Sequence, residues 1–403
     1  MTTTGRLRRI AVLTGTRAEY GLLRPVIAAL AGRFTVELIV AGQHLLPEFG
    51  NTVDEVEADG WNIAARVPMM GTDDGHGEMA KGIARGIDGI ANALMRQDSD
   101  AVVVLGDRVE AFAAAVAGAA LHRLVVHLHG GEVTRGGLDE SMRHAITKLA
   151  HLHFVATQQS RSRLLRMGEA PDRIVVSGAP GLDTILSAPA ADRAAVESEL
   201  GRQLTSPVAV LVQHPVSSAP DQAADEMRAT LDGLRQAAVS VVALYPNSDA
   251  GGRRMIEVLE SYAGEHWLTI RPTLSHHLYL GLLRLADVLV GNSSSGIIEA
   301  PSFGLPVVNI GSRQHGRERG ENIVDVPHQA QAITTAVRFA LEDGEFRRAA
   351  ALRRNPYGDG QAARRIADAL TAIEQIAPLI QKQFCDETVA GNGSRRWTSN
   401  SSN

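Results

Sequence analysis

The sequence predicts an α/β protein with two domains, each built around a parallel β-sheet. Three observations lead to this prediction. Short apolar segments alternate with segments of helical periodicity, the short segments are apolar at nearly every position, and the pattern occurs twice along the 403 residues. Strands that are apolar on both faces are typical of parallel sheets covered by helices on both sides. A chain of this length is long enough for two domains.

The first half contains four short apolar runs, each followed closely by glycine, and four stretches with apolar residues at helical spacing. The runs predict strands at residues 10–14, 36–41, 101–105 and 124–128. The stretches predict helices at residues 22–30, 82–95, 109–120 and 141–150. Strands that alternate with helices in this way are the βα pattern of a parallel sheet.

The second half repeats the pattern. Strands are predicted at residues 208–212, 240–245, 267–270, 288–290 and 307–310, and helices at residues 223–236, 253–262, 277–285 and 361–384. Residues 181–206 are predicted to connect the two halves. The domains are therefore predicted at residues 1–185 and 186–360. Residues 386–403 end in a stretch rich in Ser, Asn and Gly and are predicted to form a disordered tail.

Composition excludes several classes of protein. There are 40 Lys and Arg residues against 45 Asp and Glu residues, a net charge of -5, so the basic surface of a nucleic-acid-binding protein is not expected. A single cysteine, Cys385, cannot form an internal disulfide or a zinc cluster, which fits a reducing compartment. The apolar runs are too short for a signal peptide or a membrane span. We therefore expect a cytoplasmic protein that binds neither nucleic acid nor membrane.

Polar residues follow the predicted strands, at the edge where parallel sheets bind ligands. The loop from Gly15 to Gly21 is not a dinucleotide fingerprint, but a glycine turn at a helix start with Arg17 can hold phosphate. A purely structural turn is the alternative. Later, Ser294, Ser295 and Gly296 can hold a diphosphate at a helix start, Glu299 can accept from ribose hydroxyls, and Arg313 follows the next strand. A Ser-rich helix cap is the alternative there.

Acidic residues and histidines form the densest group. Asp107 follows one strand, Glu132 and Asp139 follow the next, and paired acids suit general acid–base chemistry. Asp107 could instead only cap a helix. His127 and His129 could bind zinc, although histidines satisfied within the fold are the more ordinary interpretation.

Several stretches together resemble the hydrolysing UDP-N-acetylglucosamine 2-epimerases, and they cover most of residues 8–360 in order. The matching stretches are residues 14–21, 105–108, 129–134, 139–148, 291–299 and 311–314. The resemblance implies a glycosyltransferase-B-like fold, in which two Rossmann-like domains face each other across a cleft and the final helix, at about 361–384, packs back on the first domain. It also implies a homo-oligomer, either a dimer or a tetramer.

The resemblance assigns roles to individual residues. It implies catalytic roles for Asp107, Glu132, Asp139 and His214. It implies substrate binding by Arg17, His44, Ser294, Ser295, Gly296, Glu299 and Arg313.

The implied reaction converts UDP-N-acetylglucosamine and water into UDP and N-acetylmannosamine through a 2-acetamidoglucal, for sialic-acid-type surface sugars. It needs no cofactor and no metal. Alternatives are the same reaction on UDP-2,4-diacetamido-2,4,6-trideoxy-glucose, a glycosyltransferase of the same fold, a catalytically silent sugar-nucleotide sensor, and a metal-dependent hydrolase.

Overall fold

The computed structural model describes residues 5–47, 51–71, 76–133, 138–187, 190–216, 219–246 and 251–386. The chain divides into two compact units. The first unit comprises Met1–Thr184 and Tyr357–Asn403, and the second comprises Ile185–Pro356. Apart from residue 386, the predicted disordered tail lies outside the described residues. The predicted fold class, two Rossmann-like α/β domains with parallel sheets, is confirmed.

The first unit contains a seven-stranded sheet in the order β3-β2-β1-β4-β5-β6-β7. All the neighbouring strands are parallel. The strands are β1 (Arg9–Thr14), β2 (Thr35–Ala41), β3 (Ile63–Val67), β4 (Ala101–Leu105), β5 (Leu124–Leu128), β6 (Leu152–Val155) and β7 (Ile174–Val176). The chain reverses its direction of travel across the sheet between β1 and β4. Ligands bind beside such a switch point in open α/β sheets.

The second unit contains a six-stranded parallel sheet in the order β10-β9-β8-β11-β12-β13. Its strands are β8 (Val208–Val212), β9 (Ser240–Leu244), β10 (Leu268–Arg271), β11 (Val288–Gly291), β12 (Val307–Ile310) and β13 (Ile323–Val326). The switch point lies between β8 and β11. Each unit therefore has one expected ligand-binding edge of its own.

Helices cover both faces of each sheet. They are α1 (Arg17–Ala31), α2 (Val53–Ala58), α3 (His76–Arg96), α4 (Val109–Ala120), α5 (Asp139–Leu149), α6 (Gln158–Arg166), α7 (Gly181–Ser187), α8 (Arg193–Leu200), α9 (Ala223–Ala237), α10 (Gly252–Ser261), α11 (His276–Leu285), α12 (Ser294–Ile298), α13 (Ala300–Phe303), α14 (Ala330–Glu342), α15 (Gly344–Ala351), α16 (Ala362–Thr371) and α17 (Ala377–Ile380). None of those in the described ranges combines the length and apolar character needed to cross a bilayer.

The apolar faces of α1 and α16 pack together on one face of the first sheet, where Leu23 and Ile27 share a core with Ile366 and Leu370. The Asp183 carboxylate accepts hydrogen bonds from the first two backbone N–H groups of α16. These N–H groups have no partner within the helix, so the carboxylate satisfies them and complements the helix dipole.

Two sequence predictions differ from the structure. The helix predicted at 361–384 is two helices, α16 and α17, separated by residues 372–376. Pro378 lies in the first turn of α17, where its missing N–H costs nothing. The predicted connection at 181–206 contains the helices α7 and α8.

Candidate active site

The loop after β1 is organised by a buried carboxyl group. Gly15 N–H donates to Glu19 Oε2 at 2.7 Å, and Thr16 caps α1 by accepting from Glu19 N–H. Glu19 is buried, and burial, together with the nearby negative charge of Glu110, raises its pKa to about 8. Glu19 therefore holds a proton at neutral pH. Glu19 stands in the same motif as Arg17, but no role was predicted for it.

Glu110 is a second buried acid at this edge, and it was also missed. Its side chain lies against the Cα atoms of Gly15 and Gly42, where any larger residue would collide with the carboxyl group. Gly42 has φ +57°, a second reason for glycine. Arg108 Nε donates to Glu110 Oε2 at 3.3 Å. Gly15 and Gly42, which follow β1 and β2, thus leave space for the side chain of Glu110.

Arg143 joins the ends of β4 and β5. From α5 it donates to the carboxylate of Asp107 and, at 2.8 Å, to the carbonyl of His129. Asp139, the first residue of α5, is exposed, yet partial burial and the charge of Asp107 raise its pKa. The structure therefore places Asp107 and Asp139 within electrostatic reach of each other, with Arg143 beside them.

Glu132 and His129 form a hydrogen-bonded pair after β5. His129 Nδ1 donates to Glu132 Oε1. The His129 backbone has φ +60°, a left-handed conformation that is uncommon for residues other than glycine. All three predicted acids of the first unit therefore lie at the carboxyl edge of β4 and β5.

His127 has a structural environment. It is fully buried, Nε2 donates to the Gly106 carbonyl at 2.8 Å, and burial lowers its pKa to about 3. Thr147 Oγ1 lies 3.5 Å from Nδ1. A neutral imidazole held in this way has a structural role, which agrees with the interpretation that this histidine is satisfied within the fold. No three His, Cys, Asp or Glu side chains of the described ranges converge in a metal-binding arrangement.

The two substrate-binding residues predicted in the first unit differ in exposure. The side chain of Arg17 is 72% exposed, and its Nε lies 2.7 Å from Glu55 Oε1. His44 has no exposed surface, and hydrogen bonds join its Nε2 with Thr14 Oγ1 and its Nδ1 with Thr52 Oγ1. With both nitrogens engaged, His44 supports the loop and offers a ligand no open donor. Its role in substrate binding stays a prediction.

In the second unit, a buried asparagine holds His214. Asn292 is fully buried after β11, and its amide makes two hydrogen bonds with the backbone of His214, which follows β8. The Asn292 carbonyl accepts from Arg313 at 3.2 Å and from Gln314 at 2.8 Å. The predicted residues His214 and Arg313 are thus tied to one loop, through a residue that the sequence analysis did not single out.

A cavity of about 270 Å³ lies beside this loop. It is lined by Val212, Leu244, Tyr245, Pro272, Thr273, Leu274, Tyr279, Ser293, Ser294, Ser295 and Glu299. Ser295 Oγ donates to Glu299 Oε2 at 2.6 Å and lies 2.7 Å from the Tyr279 hydroxyl. Burial raises the pKa of Glu299. Hydroxyl, carboxyl and apolar groups on one wall suit a ligand with a polar and a flat apolar part.

Gly296 differs from its neighbours. It is buried, and a Cβ at this position would lie 3.0 Å from Val307 Cγ1. Its Cα therefore faces the sheet rather than the cavity. The glycine allows α12 to pack closely on β12, which explains the residue type without a ligand.

Comparison with known proteins identifies the family. The sequence model of the UDP-N-acetylglucosamine 2-epimerase family matches residues 28–371. A Legionella pneumophila relative, UDP-N,N′-diacetylbacillosamine 2-epimerase (hydrolyzing), is 39% identical over 93% of this chain and 99% of its own length. A UDP-N-acetylglucosamine 2-epimerase of Neisseria meningitidis is 33% identical over 84% of this chain and 89% of its own.

Among solved structures, UDP-GlcNAc 2-epimerase from Neisseria meningitidis bound to UDP-GlcNAc has a TM-score of 0.75. It is 19% identical, and the match covers 90% of this chain and 99% of that one. At this identity the likeness shows the fold. The family match and the two relatives show more, and from them we conclude that the chain belongs to the UDP-N-acetylglucosamine 2-epimerase family of enzymes.

Proposed function

We propose that this protein is a hydrolysing 2-epimerase whose preferred substrate is UDP-N,N′-diacetylbacillosamine, a UDP-2,4-diacetamido-2,4,6-trideoxy-glucose. The products are UDP and the free sugar inverted at C2. The observation that carries the reaction is the pair of carboxyls beside Arg143, Asp107 and Asp139, with Glu132 on His129 at the same carboxyl edge of β4 and β5. The choice of sugar is supported by the 39% identity to the Legionella relative along almost its entire length.

The chemistry explains why carboxyl groups are needed. Hydrogen at C2 of the sugar is not acidified by a carbonyl group, so it leaves only as the bond from C1 to the diphosphate breaks. The electron pair of the C2–H bond forms a C1=C2 double bond, and UDP departs with the pair from C1. Water then adds across the glycal, its oxygen at C1 and a new proton at C2. One base and one acid must therefore act on C2.

Asp107, Glu132, Asp139 and His214 are the proposed catalytic residues. We assign the C2 base to Asp107, because the hydrogen bond from Arg143 fixes the position of its carboxylate. We assign the C2 acid to Asp139, because its raised pKa favours the protonated form that a proton donor needs. His214 is kept in place by Asn292 and contributes at the edge of the second sheet.

The cavity of the second unit is the proposed UDP site. Ser294 and Ser295 lie on its wall and can donate to phosphate oxygens. Glu299 can accept from ribose hydroxyls, and the ring of Tyr245 together with Leu274 suits the flat uracil base. Arg313 is a proposed phosphate ligand of this unit, and Arg17 is a proposed substrate-binding residue of the first unit. Gly296 is proposed as a packing residue of this cavity, and His44 is proposed to support substrate binding in the first unit by holding the loop with Thr14 and Thr52.

A proton NMR assay with UDP-N,N′-diacetylbacillosamine and UDP-N-acetylglucosamine tests the proposal. We expect UDP and a free sugar with both, with kcat/KM at least about tenfold higher for the first, and deuterium at C2 in deuterated water. Activity should persist in EDTA without nicotinamide. If neither substrate releases UDP, the proposed reaction is wrong.

UDP-N-acetylglucosamine is the second candidate substrate, and the Neisseria relative at 33% identity favours it. A preference for it in the same assay would reverse the assignment of the sugar while leaving the reaction intact. Release of free sugar without any acceptor distinguishes both from a glycosyltransferase. The oligomeric state stays a prediction.

A further inference from the structure

We propose that His129 is the general base that activates water in the hydration step. Glu132, named above among the proposed catalytic residues, then serves as the positioning residue of His129 and does not act directly on the sugar. This inference rests on the proposed function, because it concerns the same reaction. It gives His129, which the family resemblance did not select, the role of the proton-accepting residue.

The hydrogen bonds of His129 engage each of its polar atoms except Nε2, which is therefore available to accept a proton. Its backbone N–H donates to the Phe154 carbonyl at 3.0 Å, and its own carbonyl accepts from Arg143 at 2.8 Å. Its Nδ1 donates to Glu132 Oε1. Nε2 is buried and has no hydrogen-bond partner among the described residues. A buried acceptor without a partner is costly by about 1–3 kcal/mol, so it requires an explanation.

The pairing with Glu132 determines which nitrogen can accept a proton. A carboxylate accepts hydrogen bonds, so Nδ1 carries the hydrogen of the neutral ring and Nε2 carries the lone pair. When Nε2 takes a proton, the imidazolium that forms is stabilised by the negative charge of Glu132. A carboxylate orients the histidine in this way in catalytic triads.

The backbone supports the same interpretation. His129 has φ +60°, a conformation that costs free energy for a residue with a side chain and that occurs often at functional sites. Glycine would adopt it without strain. The sequence nevertheless places histidine here, directly before Gly130 and Gly131. Replacement of His129 by glycine would therefore relieve the backbone strain while removing the imidazole.

The proton balance of the reaction determines the step in which His129 acts. Asp107 removes the proton from C2 during elimination, and Asp139 delivers the proton to C2 during hydration. The remaining proton belongs to the water that attacks C1. Its oxygen bonds to C1, the electron pair of the double bond forms the new C2–H bond, and its proton goes to Nε2 of His129. A water that donates to Nε2 would also satisfy the buried acceptor.

The test is the ratio of free sugar to UDP in the NMR assay. His129→Gly keeps the left-handed backbone without strain and removes the imidazole, and His129→Asn is a second variant that tolerates this conformation. We expect both variants to release UDP while the 2-acetamidoglucal accumulates, with hydration about a hundredfold slower. Added imidazole should restore hydration in His129→Gly.

Glu132→Gln should show the same accumulation, and the double variant with His129→Gly should be no slower than the single variants. His144→Gln is the control, because His144 is an exposed residue of α5 that pairs with Glu140. Equal loss of UDP release and free sugar, with no glycal, would overturn the hydration role, as would an unchanged ratio. If the unmodified enzyme releases no UDP, the proposed function fails instead.

Discussion

Asn292 brackets the backbone of His214. Its Oδ1 accepts from the His214 N–H at 2.7 Å, and its Nδ2 donates to the His214 carbonyl at 2.8 Å. The two residues follow β8 and β11, the strands on either side of the switch point in the second sheet. One fully buried side chain therefore joins the two loops that carry the predicted residues of this unit.

Replacing Asn292 by Ala should destabilise the protein by about 1–3 kcal/mol, because two partly buried backbone groups of His214 lose their partners. Turnover should fall as well, since His214 is no longer held in place. Urea unfolding and the NMR assay measure the two effects. Asn92→Ala, at an exposed position of α3, is the control and should change stability by less than about 0.5 kcal/mol. A stable and fully active Asn292→Ala variant would show that the two hydrogen bonds to the His214 backbone are not needed for stability or turnover.

Arg17→Ala should lower kcat by about a hundredfold or more, because a guanidinium on the leaving diphosphate strengthens its bond as charge develops. Arg17→Lys should restore little, since an ammonium lacks the planar fork. Glu55→Gln removes only the charge that Arg17 pairs with at 2.7 Å and should remain close to the unmodified enzyme. An unchanged rate for Arg17→Ala would leave the loop as a structural turn.

Lys382→Met should destabilise the first unit by about 3 kcal/mol, because it removes one of the three partners of the buried Glu169 carboxylate and the donor to two backbone carbonyls. Lys382 Nζ lies 2.6 Å from the buried carboxylate of Glu169 and donates to the carbonyls of Thr147 and Ala150 at the end of α5. Calorimetry or urea unfolding measures the loss. The control is Lys81→Met at an exposed position of α3, and a difference of less than about 1 kcal/mol between the two would contradict the expectation.

Stability should fall between pH 7 and pH 5. Burial lowers the pKa of His44 and His151 to about 4 and that of His127 to about 3, whereas their ordinary value is 6.5. The unfolded chain therefore binds more protons than the folded chain below about pH 6.5, and the stability contributed by these neutral rings is lost as pH falls. At pH 5 the protonation of each of these histidines in the unfolded chain lowers the free energy of unfolding by up to about 2 kcal/mol.

Urea unfolding at pH 7.5 and at pH 5.0 measures this loss. The buried carboxylate of Glu169 adds almost nothing in this window, because Lys148, His153 and Lys382 lower its pKa to about 2. Glu19, whose pKa is raised to about 8, opposes the loss, because the folded chain binds its proton where the unfolded chain does not, and the three histidines together outweigh this single group. In His44→Gln, the difference in free energy of unfolding between pH 7.5 and pH 5.0 should be smaller by the contribution of one histidine. A free energy of unfolding that stays constant over the window would show that these histidines titrate normally.

The strands beside the two switch points were predictable because their signal is local. β4, β8 and β11 are apolar throughout and β1 is apolar from Ile10 to Leu13, and the polar residues that follow them occupy the ligand-binding edge of each sheet. Strands with a weaker local pattern were missed. β6 is four residues long and includes His153, and β13 is four residues long and only partly buried. Such segments become strands because the neighbouring strand supplies their hydrogen bonds.

The sequence alone determined the fold class, the family resemblance and the edge at which the candidate acids lie, since apolar periodicity and short motifs are properties of consecutive residues. Only the tertiary structure decided which groups meet. Arg143 and Asp107 are 36 residues apart, and Asn292 and His214 are 78 apart. Burial, which raises the pKa of Glu19 to about 8, also depends on packing by distant segments. Pairing and desolvation depend on which distant segments lie close together in the folded chain, and for that reason Glu19, Glu110 and Asn292 could not be selected from the sequence.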